Sequence, residues 1–278
     1  MKLLVALLAL SAWGAARWLP PAATVAKAAA ATRKERKAKV PPQPSGLAML
    51  REHDLALLLQ ARHPPCKTCA FRPLNGFYGP SRYRIELAML QLTRDARQPT
   101  LYHVQGKSRY KKVIRPFSGT ITLAQVVKQP EYSAREIAAS SDWDQLENLP
   151  NMYTAIGQYE LREASTQRGA GVYCGTVALD FRVEENGQVV QKSRHGKTLT
   201  QGGELKYAGT WTSNATSRNV PVTWVGNFLS YRGPQGFSDF NIGDRGISIN
   251  PKYAHLGWNN FWENDEWWVD APPASARL

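Results

Sequence analysis

Aromatic and polar side chains are interleaved near the C-terminus in a pattern suited to carbohydrate binding. Trp258 and Trp262 stand there among amide and carboxylate residues that include Asn259, Asn260 and Glu263. Aromatic rings stack on sugar rings, while amides and carboxylates form hydrogen bonds with hydroxyl groups. Because large aromatic side chains also dominate protein cores, the pattern predicts either a glycan-binding face or closure of the hydrophobic core.

Two further tryptophans, Trp211 and Trp224, lie in segments with the alternation of β-strands. We therefore treat Trp211, Trp224, Trp258 and Trp262 as the candidate ligand-binding residues. At the mouth of a β-barrel or on an aromatic face, such residues could hold an apolar small molecule or a glycan.

The three cysteines supply the most suggestive local motif, a CxxC pair formed by Cys66 and Cys69, with Cys174 far along the chain. Redox catalysis by CxxC requires a βαβ unit, which the surrounding sequence lacks. A metal site would combine the pair and His63 with Cys174 or His103, but a second paired motif is absent. A structural disulfide formed after export, within the pair or to Cys174, is favoured. We accordingly expect neither a metal nor a cofactor.

Paired carboxylates are the groups that a glycosidase needs as acid and as nucleophile or base. Asp142 with Asp144, and Glu263 with Asp265, are such pairs. Surface acids are abundant, however, and proximity in sequence does not establish catalytic geometry. The Gly-x-Ser-x-Gly elbow, the His-Glu-x-x-His motif and the phosphate-binding glycine loop are all absent. We therefore assign no catalytic residue, and an enzyme is the less favoured interpretation.

Basic residues are concentrated in two places. Residues 1–39 carry +7 of the formal net charge of +13, which leaves +6 for the remainder. Residues 31–44 form a basic linker rich in proline and alanine, which could attach the protein to an anionic surface. A second cluster, which could do the same, comprises Lys107, Arg109, Lys111, Lys112 and Arg115. We expect no specific nucleic-acid partner, because the globular part is only moderately basic.

The N-terminus is typical of an export signal. Lys2 supplies a positive start, an apolar run follows over residues 3–12, and small residues come next. The apolar run is shorter than the ~20 residues that a membrane-spanning helix needs. Residues 1–30 are therefore predicted to be a signal peptide, and the protein is predicted to be secreted or periplasmic and soluble after cleavage.

A mostly β fold must position these groups. The pattern aromatic-x-Gly-Thr-apolar occurs three times, at residues 117–121, 173–177 and 207–211. Apolar alternation with a period of two is typical of half-buried strands, and a glycine within a strand marks a bend or a close backbone approach, as at the corners of a barrel. Strands are predicted at residues 82–93, 100–106, 112–128, 152–163, 171–184, 188–194, 204–213, 221–231 and 236–249. Asn186-Gly187 predicts a type I′ hairpin turn.

Leucines at helical intervals predict one helix over residues 45–60. The predicted domains are a helix and CxxC segment at residues 45–69 and a β-rich domain at residues 70–278. The fold class is mainly β, as an antiparallel β-barrel or a sandwich preceded by the helix.

Three segments, at residues 76–86, 102–107 and 117–121, carry a resemblance to uncharacterised secreted β-rich proteins of bacteria. That resemblance implies export and a β fold, and it transfers no catalytic residue. Gly209-Thr210-Trp211 also resembles the Gly-x-Trp signature of lipocalin-like barrels, which implies a barrel of that kind, although the motif lies late in the chain.

Together these features predict an exported cell-envelope protein that binds an apolar small molecule or a glycan. An envelope glycan hydrolase and a structural envelope component are the alternatives.

Overall fold

The computed structural model describes residues 46–61, 72–140, 146–194, 196–243, 246–263 and 265–270. Three helices and nine strands form there, followed by a 3₁₀-helix at Pro251–Leu256. The helices are α1 (Gly46–Glu52), α2 (Ala56–Leu59) and α3 (Ala134–Ala138). The strands are β1 (Leu74–Tyr78), β2 (Tyr83–Arg94), β3 (Leu101–Tyr110), β4 (Val113–Lys128), β5 (Met152–Glu163), β6 (Gly171–Val183), β7 (Val189–Gln191), β8 (Leu205–Ser213) and β9 (Asn219–Val225).

Eight of the strands close into an antiparallel barrel. They follow the order β1-β2-β3-β4-β5-β6-β8-β9, and β9 pairs back onto β1 with Asn75 opposite Val225 and Tyr78 opposite Val222. The short β7 extends one end of β6 and takes no part in the closure. Closure leaves no long edge strand exposed. The predicted barrel is therefore confirmed, and the sandwich alternative is wrong.

Alternate residues of each strand fill the barrel interior. The apolar positions of the repeated pattern are among them, since Phe117, Ile121, Tyr173 and Val177 are all buried in one hydrophobic cluster. The cluster includes side chains from each of the eight barrel strands. The barrel is therefore a packed core, as small eight-stranded barrels generally are.

The glycines of the pattern allow the strands to approach each other closely. Gly175 on β6 lies directly opposite Gly209 on β8. A Cβ atom added to Gly209 would lie 2.0 Å from the carbonyl oxygen of Cys174, and one added to Gly175 would lie 2.2 Å from that of Ala208. Side chains larger than hydrogen cannot fit, so these glycines are sites of close backbone approach, as predicted.

The segment for which one helix was predicted forms two short helices, α1 and α2, which pack against one end of the barrel. The Leu55 amide donates to the Tyr102 hydroxyl at 3.2 Å, and the Tyr207 hydroxyl donates to the Leu59 carbonyl at 3.1 Å. The Gln60 side chain donates to the Met89 carbonyl at 3.1 Å. Among the described residues, no helix is long and apolar enough to cross a membrane.

The structure corrects the local predictions at four places. Strand β1 was missed, and the described residues of the predicted strand at 236–249, which are 236–243 and 246–249, form no strand beyond a single bridge between Asn241 and Ile249. The predicted strand at 221–231 ends at Val225. The turn at Asn186-Gly187 is not type I′, because the Gly187 amide bonds to the Glu184 carbonyl at 2.9 Å and Gly187 is its one residue with positive φ. This geometry is that of a type I turn followed by a glycine bulge.

The described residues of the segment 226–270, which are 226–243, 246–263 and 265–270, pack against the outside of β1, β2 and β3, and we call them the C-terminal wrap. Phe77, which points outward from β1, contacts the rings of Phe228, Phe237 and Trp258 at centroid distances of 5.1, 5.6 and 5.4 Å. The Lys107 ammonium on β3 donates to the Trp268 carbonyl at 2.8 Å. The wrap thus gives the barrel a second, external hydrophobic cluster.

Substitution of Gly209 by alanine tests the close approach between β6 and β8. The added methyl group would overlap the backbone of β6, so we expect a loss of roughly 1–3 kcal/mol in the free energy of unfolding. Chemical denaturation measures it. Gly246→Ala is the control, because nothing lies within 4 Å of its added Cβ; equal stability of the two variants would contradict the packing argument.

An alkaline titration tests the burial of the barrel tyrosines. Burial raises the pKa of Tyr78 to about 12 and raises those of Tyr159, Tyr173 and Tyr207 well above the ordinary 10.0. A raised phenol pKa in the folded state contributes stability that is intact below pH 10.0 and is lost as the pH rises through the folded-state value. We expect tyrosinate absorbance from the interior rings to develop only together with loss of β circular dichroism. Complete titration near pH 10 with the fold intact would disprove this burial.

Candidate functional site

Trp224 lies inside the barrel and makes no contact with solvent. Its ring packs against Tyr173 at 5.1 Å in an edge-to-face arrangement. Its indole nitrogen has no hydrogen-bond partner in the structure. Packing alone therefore holds this ring, which serves as core.

Trp211 lies at the mouth of the barrel above a buried carboxylate. The Glu163 side chain accepts four hydrogen bonds, from Ser108 Oγ at 2.9 Å, Tyr173 Oη at 3.0 Å, the Gly171 amide at 2.9 Å and Trp211 Nε1 at 3.1 Å. These four hydrogen bonds offset the free-energy cost of burying the Glu163 carboxylate. Trp211 is partly buried and is oriented by this bond.

Trp258 is wholly buried, but outside the barrel. It belongs to the external cluster of the C-terminal wrap, and its ring lies 4.5 Å from Phe228 and 5.4 Å from Phe240. Its indole nitrogen donates to the Arg82 carbonyl at 3.0 Å. This contact ties the wrap to the turn between β1 and β2.

Trp262 is the candidate that faces solvent, with 46% of its surface exposed. Its ring meets the edge of Phe261 at 4.6 Å and 86°. Both rings line a cavity of about 380 Å³ on the outside of the barrel, which we call the outer cleft. The other lining residues are Arg72, Pro73, Asn75, Arg84, Glu86, Glu204, Gly226, Asn227, Phe228, Leu229 and Glu263.

A buried ion network forms part of the lining of the outer cleft. Glu86 on β2 accepts from Arg84 Nη2 at 2.9 Å, from Arg109 Nη2 at 2.9 Å and from Arg109 Nε at 2.5 Å. Arg84 also donates to Asn75 Oδ1 and to the Asn260 carbonyl, each at 2.8 Å. Arg109 also bonds to Asp265. The network therefore fixes the C-terminal wrap to β2 and β3.

The two arginines differ in their electrostatic balance. Burial lowers the pKa of Arg84, although Glu86 opposes that effect. Burial also acts to lower the pKa of Arg109, but the hydrogen bonds to Glu86 and Asp265 outweigh it and raise the pKa above its ordinary value. Guanidinium groups stay charged at neutral pH, so this lining carries permanent charge.

A second cavity of about 490 Å³ shares Arg84, Glu86 and Glu263 with the outer cleft. Lys111, Lys112, Asn259 and Asp265 are among its other lining residues. The two cavities together present amides, carboxylates and basic groups beside the exposed ring of Trp262.

Two carboxylates near the outer cleft are bound by arginines. Both oxygens of Glu86 accept from arginines, and Asp265 is paired with Arg109. Glu263 is exposed, and its carboxylate accepts a hydrogen bond from the side-chain amide of Asn260 at 2.9 Å. Asp142 and Asp144 lie outside the described residues.

Cys174 is exposed on the outside of β6 and forms no disulfide with another described residue, and the partial burial of its thiol raises its pKa. Cys66 and Cys69 lie outside the described residues, so the disulfide assignment stays a prediction. Among the residues that the structure describes, no group of three or more His, Cys, Asp or Glu side chains could hold a metal ion.

Sequence reasoning missed Arg84, Glu86, Asn75 and Asn227 in the outer cleft. The signal for the first two was available: Arg84 and Glu86 alternate with the apolar residues Ile85 and Leu87 within β2, so they share its outer face. Their burial depends on the wrap, which no local pattern reveals.

Comparison with known proteins found no matching family model, no similar curated protein and no similar solved structure.

Substitution of Glu86 by glutamine tests the ion network. It would leave Arg84 and Arg109 buried side by side without their shared counter-charge, so we expect a loss of about 3–5 kcal/mol in the free energy of unfolding. Glu160→Gln is the matched control, because Glu160 forms an exposed pair with Arg162. Denaturation of both variants gives the comparison, and a loss no larger than that of the control would show that the network is dispensable.

Proposed function

We propose that this protein is an exported cell-envelope protein that binds a glycan in the outer cleft. The observation that carries the proposal is the exposed ring of Trp262 beside Phe261, with hydrogen-bonding side chains around both. A solvent-facing aromatic plane with convergent polar groups suits the apolar face and the hydroxyl groups of a sugar.

The exposure of Trp262 supports a binding role. Trp224, Trp258, Trp267 and Trp268 are all buried, which is the usual fate of tryptophan in a folded protein. Trp262 is the one exposed tryptophan in the described part of the chain. Its edge contact with Phe261 fixes the ring in place, so that binding costs little additional ordering.

The polar groups in the cleft retain hydrogen-bonding capacity. The side-chain oxygen of Asn75 accepts from Arg84, and that of Asn227 accepts from the Ser230 amide at 3.2 Å. These bonds orient both side chains and leave their amide NH₂ groups available to donate. Glu263 adds an exposed acceptor.

The dimensions of the cleft also suit a small ligand. Its volume of about 380 Å³ lies within the range of roughly 300–1,000 Å³ that is typical of small-molecule sites. The barrel interior is less suitable for the apolar small molecule considered from the sequence, because side chains from every barrel strand fill it. Lipocalin-like barrels also have eight strands in up-and-down order. The ligand that we propose nevertheless binds outside the barrel, in the outer cleft.

The alternatives have weaker support. A glycan hydrolase needs two carboxylates that act on one bond, whereas Asp265, of the pair Glu263 and Asp265 considered from the sequence, is bound by Arg109. A structural envelope role would leave the exposure of Trp262 without a reason. Export depends on the signal peptide predicted at residues 1–30.

Glycan binding can be tested by isothermal titration with soluble fragments of bacterial envelope polysaccharides. We expect Trp262→Ala to weaken binding at least about tenfold, because tryptophans central to a binding surface commonly contribute about 2 kcal/mol or more. Leu199→Ala is the matched control, since Leu199 is also exposed and does not line the outer cleft. Failure of the unmodified protein to bind any fragment, or equal affinity of the two variants, would reject the proposal.

A further inference from the structure

Four turns meet at one end of the barrel. In an up-and-down barrel successive strands are joined at alternate ends, so the connections at residues 79–82, 111–112, 164–170 and 214–218 share one end. Contacts between residues that flank these connections support this placement. The Tyr78 ring lies 4.3 Å from the Tyr110 ring and 6.0 Å from the Trp211 ring. The Arg115 guanidinium donates to the Arg168 carbonyl at 3.2 Å. We call this surface the turn end.

The turn end is rich in basic residues, although two acids of the C-terminal wrap, Glu263 and Asp265, line one cavity with Lys111 and Lys112, and Asp265 is paired with Arg109. Its four connections contain no aspartate or glutamate, and the carboxylate of Glu163 beside them is buried beneath four donors. The basic residues are Lys111, Lys112, Arg115, Arg168 and Arg218. Arg82 also lies in one of these connections, but its guanidinium donates to the Gly236 carbonyl at 3.3 Å and lies over the Phe237 ring. Side chains of one charge sign gathered on one surface raise the local concentration of oppositely charged partners.

The opposite end of the barrel has mixed charge. Its loops contain Asp95, Glu131, Glu136, Glu147, Glu184, Glu185 and Glu204 among their arginines and lysines. Several of these acids form pairs, such as Glu131 with Lys128 and Glu136 with Lys197. The positive surface therefore belongs to the turn end and is not a general property of the barrel.

Aliphatic side chains are exposed at the tip of the turn end. Val113 and Ile114 follow the turn between β3 and β4 and are 48% and 39% exposed. Lys111 and Lys112 form the turn itself, with φ angles of 48° and 68°. Lys111 lies over the rings of Tyr83 and Tyr110 at 4.9 and 5.5 Å, which holds its charge at the tip. Basic and aliphatic groups are thus presented together.

We propose that the turn end docks on a membrane surface rich in anionic phospholipids. The aliphatic side chains of Val113 and Ile114 enter the headgroup region, while Lys111, Lys112 and the neighbouring arginines pair with lipid phosphates. Electrostatic attraction combined with shallow apolar insertion is the usual basis of peripheral membrane binding. A nucleic acid or an acidic polysaccharide would use the charge but would have no use for exposed aliphatic groups. This docking is independent of the outer cleft.

Vesicle co-sedimentation of the full chain tests the proposal. We expect binding to vesicles of phosphatidylglycerol and phosphatidylethanolamine, and much less to pure phosphatidylcholine. Lys111→Asn with Lys112→Asn removes two charges and retains a residue that tolerates positive φ, and it should weaken binding at least about tenfold. Val113→Ser with Ile114→Ser should weaken it at least about fivefold.

Matched variants at the opposite end separate docking from general effects. Leu199→Ser removes a similarly exposed aliphatic group, and Arg97→Asn with Arg135→Asn removes two exposed charges, so both should bind as the unmodified protein does. Equal thermal midpoints would show that each variant is folded. If only the double lysine variant lost vesicle binding, the partner would be a polyanion and not a membrane. If every variant bound vesicles as the unmodified protein does, the attachment would belong to the basic linker. Either outcome overturns the proposal.

Discussion

The pairing of β1 with β9 is the constraint on which the rest of the structure depends. It joins residues about 150 positions apart in the chain, from 74–78 to 219–225, and converts a sheet with two edges into a closed barrel. Closure assigns each strand one packed face and one outer face. It also places Phe77 and Val225 within the same external cluster, and thereby creates the surface onto which the C-terminal wrap packs.

Two buried carboxylates stabilise opposite ends of this barrel in different ways. Glu163 at the turn end accepts bonds from β3, β6 and β8, so it connects strands. Asp180 near the other end accepts from Thr154 and from Ser193, Thr198 and Thr200 at 2.6 Å each, so it organises a long loop. The end of the barrel opposite the turn end is consequently covered by the described residues of this loop, together with α1 and α2. The turn end has only short connections, which leaves Lys111, Lys112, Arg168 and Arg218 exposed.

Local alternation was sufficient to predict most of the barrel, because β2 to β6 and β8 each bury one face. It failed for β1, where Asn75 and Gly76 interrupt the apolar pattern. It failed again at residues 236–249, because Phe237 and Phe240 pack into a cluster and do not alternate between two faces. The site was harder to predict. Trp258 and Trp262 stand in similar sequence, and only the contacts made by the folded wrap bury one and expose the other.

The same principle decides which basic residues are available for binding. Lys107 and Arg109 face the C-terminal wrap from the outer side of β3, where Asp270, Asp265 and Glu86 neutralise them. Lys111 and Lys112 follow only a few positions later and line one cavity with Glu263 and Asp265, yet neither lysine forms an ion pair with a described residue. A count of charges along the sequence treats all four alike. The register of one hairpin separates them, because it assigns the first two to structural ion pairs and leaves the last two at the tip of the barrel.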